Sequence, residues 1–100
     1  MIILAGHIRT KPELVEDLAA TLRSLVATTL QEDGCLNYHF AIDDAAAGSI
    51  LVYERWRDPQ ALAVHLAQPS IGAVLGGWAD KITIEVRQFD ASRERDFGVE

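Results

Sequence analysis

One stretch near the middle of the chain constrains the fold more than any other. Ile50 to Trp56 reads Ile-Leu-Val-Tyr-Glu-Arg-Trp, a β-branched and aromatic run of strand length. Ile50, Val52, Glu54 and Trp56 fall on one side; Leu51, Tyr53 and Arg55 fall on the other. A strand with one face in water should be polar at every second position. This strand is apolar on both sides, so both faces of its sheet call for cover.

Three more strands are predicted around it. Ile2 to Arg9 is apolar and β-branched, with Ile2, Leu4, Gly6 and Ile8 on one face and Ile3, Ala5, His7 and Arg9 on the other. Leu36 to Asp43 puts Leu36, Tyr38, Phe40 and Ile42 on one face, and Asp43 to Ser49 is a hairpin connection. Ile82 to Phe89 is the fourth strand, with Ile82, Ile84 and Val86 on one face.

Two helical regions separate the strands. Thr10-Lys11-Pro12-Glu13 has the form of a capping box with Thr10 as cap. The stripe Leu14, Leu18, Leu22, Leu25, Val26 predicts a helix running to a stop at Gly34. Asp58 caps the second region with Pro59 at its first position, and Pro69-Ser70 starts a further segment carrying Ile71, Val74, Leu75 and Trp78.

The order is therefore βαββαβ. Right-handed crossovers place both helices on one face of a four-stranded antiparallel sheet, an α+β, ferredoxin-like sandwich. One hundred residues make one domain, which we expect over 1–90, with 91–100 a polar C-terminal tail. No spare element remains for the second sheet face, so a homodimer is the simplest cover. The alternative is a monomer with a few exposed apolar residues.

Fifteen acidic residues against nine basic ones give a charge of −6. That balance repels polyanions, which argues against nucleic acid and anionic membranes as partners. The apolar run before Gly6 is too short for a signal peptide or a membrane span, and the expected location is cytoplasmic. Cys35 is the only cysteine, so neither an internal disulfide nor a multi-cysteine metal site can form within one chain. No two of His7, His39 and His65 stand four residues apart, and no metal site is expected.

Phosphate-binding glycine loops, HExxH and Ser-His-Asp signatures are absent. His39 and His65 are candidates for proton abstraction, because imidazole titrates near neutral pH. Each also has a structural reading: His39 at a dimer interface, His65 capping or pairing with Glu54. Trp56 could wall a pocket and stack a flat ring, or plug the core between sheet and helix. Glu54 shares its face and would need a partner if buried, with His65 or Arg55 able to supply one.

Three segments carry a resemblance: Glu32-Asp33-Gly34-Cys35-Leu36-Asn37-Tyr38, Tyr53-Glu54-Arg55-Trp56-Arg57-Asp58, and Ala61-Leu62-Ala63-Val64-His65-Leu66. Together they resemble the antibiotic biosynthesis monooxygenase (ABM) domain family. Ile8-Arg9-Thr10-Lys11-Pro12 and Gln68-Pro69 are similar to its YgiN-like quinol monooxygenase branch. The resemblance implies a dimeric α+β barrel with two sheets back to back. It implies a cofactor-independent monooxygenase that oxidises a small quinol, phenol or related aromatic with O₂, with no metal. Carried over by position, the catalytic candidates are His65, His39 and Glu54, and the substrate-binding candidates are Trp56, Tyr53 and Trp78. The rival reading is a non-catalytic dimeric module that binds a small aromatic. Aromatic-polyketide members carry an Asn where this chain has Val52. The Asn and His of haem-degrading members fall on Ile8 and Leu75, which disfavours haem degradation.

Overall fold

The structure is a computed structural model describing all 100 residues. Strand β1 spans Ile2–Arg9, β2 Cys35–Asp44, β3 Ser49–Trp56 and β4 Thr83–Asp90. They form one sheet in the order β2-β3-β1-β4 with every neighbouring pair antiparallel. Both helical connections therefore skip one strand, which is the ferredoxin-like βαββαβ arrangement. None of the helices is long and apolar enough to cross a membrane.

Alternation along the strands sets the core. Ile8, Ile50 and Val52 pack against Val15, Leu18, Ala19 and Leu22 of the first helical region. Ile2, Tyr38 and Trp56 pack against Ala61 and Leu62 of the second. Burying a side chain of this kind contributes about 1.5–3 kcal/mol, so the sheet is held by its helix-covered face.

The second helical region follows its sequence signals. Helix α3 spans Pro59–Leu66, and Asp58 Oδ1 accepts from the Ala61 amide at 2.8 Å. Helix α4 starts at Pro69 and runs through Gly76 and Gly77 to Trp78.

The first region departs from them. A 3₁₀ turn, Pro12–Leu14, precedes α1, Val15–Arg23, and a single further turn, α2, covers Val26–Thr29. Thr10 caps neither piece; its hydroxyl donates to the Lys81 carbonyl at 2.9 Å and ties β1 to the start of β4. The expected continuous helix breaks at Ser24–Leu25. Thr21 Oγ1 donates to the Asp17 carbonyl at 3.0 Å and Ser24 Oγ to the Thr21 carbonyl at 2.6 Å. Such back-bonding hydroxyls compete with the helical ladder and bend it. Helix therefore ends at Thr29, five residues before the expected stop. Gly34 is nonetheless where the chain reverses: its φ of +86° suits glycine, and its carbonyl accepts from Arg57 N at 2.8 Å.

Strand β2 also differs at its start. Cys35 pairs with Trp56 and Asn37 with Arg55, so Leu36 is the extra residue of a β-bulge. It is thrown out of the face expected for it and lies exposed, while Cys35 packs beside Trp56.

The opposite sheet face carries no helix. Leu51 is 43% exposed and Phe89 49%. Charged groups pair around them: Arg9 with Glu85, Arg55 with Glu94, and His7 with Asp43 at 3.0 Å. The start of the C-terminal segment lies along one edge of this face. Ala91 N donates to the Met1 carbonyl at 2.8 Å, and residues 91–95 line a groove with Ile3, Tyr53 and Arg55.

Candidate active site

A cavity of about 150 Å³ lies between the sheet and the helices. It opens because β4 is thinly covered: Ile84 points to the helix side yet stays exposed. Leu66, Val74 and Leu75 from α3 and α4 face Leu4, Phe40 and Val52 of the sheet across it. All its lining residues are hydrophobic except two, Glu54 and His65.

The register explains why these two meet there. Glu54 is the third member of the inward set Ile50, Val52, Glu54, Trp56, and lies opposite Leu4 and Tyr38 in the sheet. It is 7% exposed. Trp56 Nε1, two residues along the same face, donates to Glu54 Oε1 at 3.0 Å. Burial is the main cause that raises the Glu54 pKa above its ordinary value; the Trp56 hydrogen bond and nearby His65 oppose the shift.

His65 stands in the last turn of α3 and is 2% exposed. Its ring lies 4.7 Å from the Trp56 ring and 5.2 Å, edge-on, from that of Tyr38. Nδ1 is 3.1 Å from both carboxylate oxygens of Glu32. The partner of His65 is thus Glu32, and the partner of Glu54 is the Trp56 indole; a direct bond between His65 and Glu54 is absent. Arg55 points to the other face and pairs with Glu94.

Trp56 itself is 0% exposed and does not line the cavity. Its indole has no open face on which a ring could stack. It fills the core and fixes Glu54, which was the other reading of its position. Tyr53 and His39 sit together on the open sheet face, their rings stacked at 6.2 Å and 10°, away from the cavity. Trp78 packs at the edge of the first core cluster with Lys81 Nζ 5.8 Å from its ring, and it too is outside the cavity lining. Of the six sequence candidates, the structure brings Glu54 and His65 to one cavity with Trp56 behind them.

Two neighbouring groups are held protonated. Burial, reinforced by Glu54, pushes the Tyr38 phenol far above its usual range, and burial first, with Glu32 and Glu54 adding, pushes the Cys35 thiol up to about 11. Neither is a base at neutral pH. Glu32 was not singled out by residue type. It was visible only as the first residue of the Glu32-Asp33-Gly34-Cys35 motif, 33 positions from the ring it meets.

The antibiotic biosynthesis monooxygenase family matches residues 1–75. The uncharacterized protein sll1783 of Synechocystis sp. is 34% identical over 68 residues, 68% of this chain and 46% of that protein, so the chain spans less than half of its length. The candidate monooxygenase YcnE of Bacillus subtilis is 29% identical over 65% of this chain and 68% of its own. Among solved structures, a candidate antibiotic biosynthesis monooxygenase from Deinococcus radiodurans superposes with a TM-score of 0.85 at 26% identity, covering 97% of this chain and 98% of that one.

Proposed function

Because the chain belongs to the antibiotic biosynthesis monooxygenase family, we propose that it oxidises a single-ring quinol or phenol with O₂, using its own side chains and no resident cofactor. One observation carries this reading: an apolar cavity of about 150 Å³ whose only two non-hydrophobic lining residues are Glu54 and His65. A cavity of that size takes roughly one benzene ring, which favours a single-ring substrate over a fused polyketide.

The chemistry needs little from the protein. A neutral phenol reacts slowly with O₂ because of spin. Removing its proton gives an electron-rich phenolate that reduces O₂ more readily. His65 takes that proton as general base, a step contributing typically 10²–10⁴-fold. Glu54, whose pKa burial raises, donates in its protonated form a hydrogen bond to the second oxygen of the ring or to reduced oxygen. One oxygen atom stays on the ring as a carbonyl; the other leaves with two hydrogens as water. The apolar walls exclude bulk water while the anion exists. The working unit is a homodimer whose open sheet faces, with Leu51 and Phe89 exposed, meet back to back.

Oxygen uptake is the test, run with single-ring quinols and phenols alongside three-ring anthrols, on protein stripped of metal and flavin. Uptake above the autoxidation rate with the single-ring compounds, lost in His65→Gln, is the expected result. No uptake from any compound, together with saturable binding of a phenol, would replace the enzyme reading by a binding module using the same cavity.

A further inference from the structure

The group that prepares His65 for this role lies outside the cavity. An ionised carboxylate can only accept a hydrogen bond. Both Glu32 oxygens are 3.1 Å from His65 Nδ1, so Nδ1 carries a proton and a neutral ring leaves Nε2 bare. No other hydrogen bond involves the ring, and His65 lines the cavity. Glu32 does not line it; it borders a separate outer groove with Asp33, Arg57 and Gln60.

The turn that bears Glu32 is locked from several directions. The Glu32 amide donates to the Thr29 carbonyl at 3.0 Å, and the Glu32 carbonyl accepts from the Cys35 amide at 3.1 Å. The next residue, Asp33, is gripped in bidentate fashion by Arg57, at 2.9 and 3.0 Å. Arg57 N–H then closes on the Gly34 carbonyl at 2.8 Å. Exposed ion pairs add little to stability by themselves. Here the clamp sets the position of one carboxylate against one ring, on the β3–α3 junction that also launches the His65 helix.

Resting on the reading of His65 as the base, we propose that Glu32 is a positioning residue: it holds His65 as the Nδ1–H tautomer with bare Nε2 at the cavity and stabilises the imidazolium formed there. When substrate binds, its O–H bond breaks and an Nε2–H bond forms. Nδ1 keeps its proton, and the positive ring is left between the Glu32 carboxylate and the new phenolate. The partner of a histidine's far nitrogen decides which nitrogen is free to react. The groups facing the ring are Glu32 from the turn before β2, Tyr38 from β2, and Glu54 and Trp56 from β3. Tyr38 and Trp56 stay neutral, which leaves Glu54 as the one other carboxyl group near the ring.

Nitrogen NMR on histidine-labelled protein tests the tautomer without any substrate, at a pH where the ring is neutral. The parent should show a protonated Nδ1 and a bare Nε2 for His65. Glu32→Ala should lose that preference, while Glu32→Gln, whose carbonyl still accepts from Nδ1–H, and Glu54→Gln should keep it. A parent ring protonated at Nε2, an unchanged ring in Glu32→Ala, or a change caused by Glu54→Gln overturns the proposal. In turnover, Glu32→Gln retains the hydrogen bond but not the charge. It should lower kcat roughly 10- to 100-fold, as for groups that orient a functional imidazole, with KM little changed; unaltered kcat in both Glu32 variants also overturns the proposal. If the parent consumes no O₂ with any substrate, the monooxygenase reading fails, while the tautomer measurements still decide the role of Glu32.

Discussion

The two faces of the sheet are built from the same strands, one residue out of phase, yet they treat ionisable groups in opposite ways. On the covered face Ile50, Val52 and Trp56 are buried, and the polar residues among them, Glu54 and His65, are bonded inward to an indole and to a carboxylate. On the open face Leu51 and Phe89 remain exposed, and Arg9, His7 and Arg55 pair with acids within reach of water. Water satisfies a surface charge at little cost, whereas a buried polar group must find its partner within the fold. Paired charge on the open face therefore says little about chemistry. On the covered face every polar side chain has to be accounted for, and that accounting leads to the cavity.

The sharpest way to break this comparison is to truncate one aromatic on each face. Trp56→Ala empties a site that is fully buried and should cost about 3–5 kcal/mol, a large part of the stability of a domain this size. Tyr53→Ala removes a stacking partner of His39 and should cost about 1 kcal/mol or less. Urea unfolding at low protein concentration reads both. Equal losses would mean that the open face is as much a core as the covered one.

Charges placed on adjacent residues of β3 sharpen the point. Val52→Arg should prevent folding, because Val52 is buried in the first core cluster. Leu51→Arg should leave circular dichroism unchanged. If the open faces form the dimer, it should raise the dimer dissociation constant by about 10- to 100-fold, equivalent to roughly 1.4–2.8 kcal/mol. Sedimentation over a concentration series checks this. A parent that is monomeric at every concentration removes the dimer from the proposed function.

Much of this contrast was legible in the sequence. The two-residue period of Ile50 to Trp56 assigned every β3 side chain to its observed face, and Asp58-Pro59 marked a real helix start. What could not be read was local competition and long-range pairing. Leu25 and Val26 continue the apolar stripe straight through the break that the Thr21 and Ser24 hydroxyls help to make. One bulge residue, Leu36, leaves its face without any signal from a neighbour. His65 stood out because imidazole titrates near neutral pH, and Glu54 because it shares a strand face with Trp56. Glu32 lies in a polar turn, where a carboxylate is unremarkable by sequence, and only the folded chain brings it to the imidazole. The amount of open surface at Trp56 likewise depends on three elements packing around it.

A smaller effect follows from the buried acid. In the unfolded chain Glu54 ionises at its ordinary value near 4.5; in the fold burial raises it. Between the two the folded state keeps a proton that the unfolded state has released. Its contribution is therefore complete below the unfolded value and is lost as pH rises through the folded one. Glu54→Gln cannot ionise and still offers a carbonyl to Trp56 Nε1. Its stability should match the parent in acid and exceed it increasingly toward neutral pH. Parallel stability curves for the two proteins would show that Glu54 carries no such penalty.

The smallest expected change belongs to the open face. Arg9 and Glu85 form an ion pair with both side chains roughly half exposed. Pairs of this kind contribute about 0.2–1 kcal/mol, and the Debye length falls to about 3 Å in 1 M salt. Glu85→Gln should therefore cost less than about 1 kcal/mol at low salt and nothing measurable at 1 M. The Glu32–His65 pair has its ring shut away from solvent, so the NMR signature of its tautomer should be the same at both salt concentrations. Titrating sodium chloride against both readouts asks one question of the two faces. If salt shifts the His65 tautomer as readily as it abolishes the Arg9–Glu85 contribution, solvent reaches both pairs alike. The cavity would then be too wet to protect a phenolate.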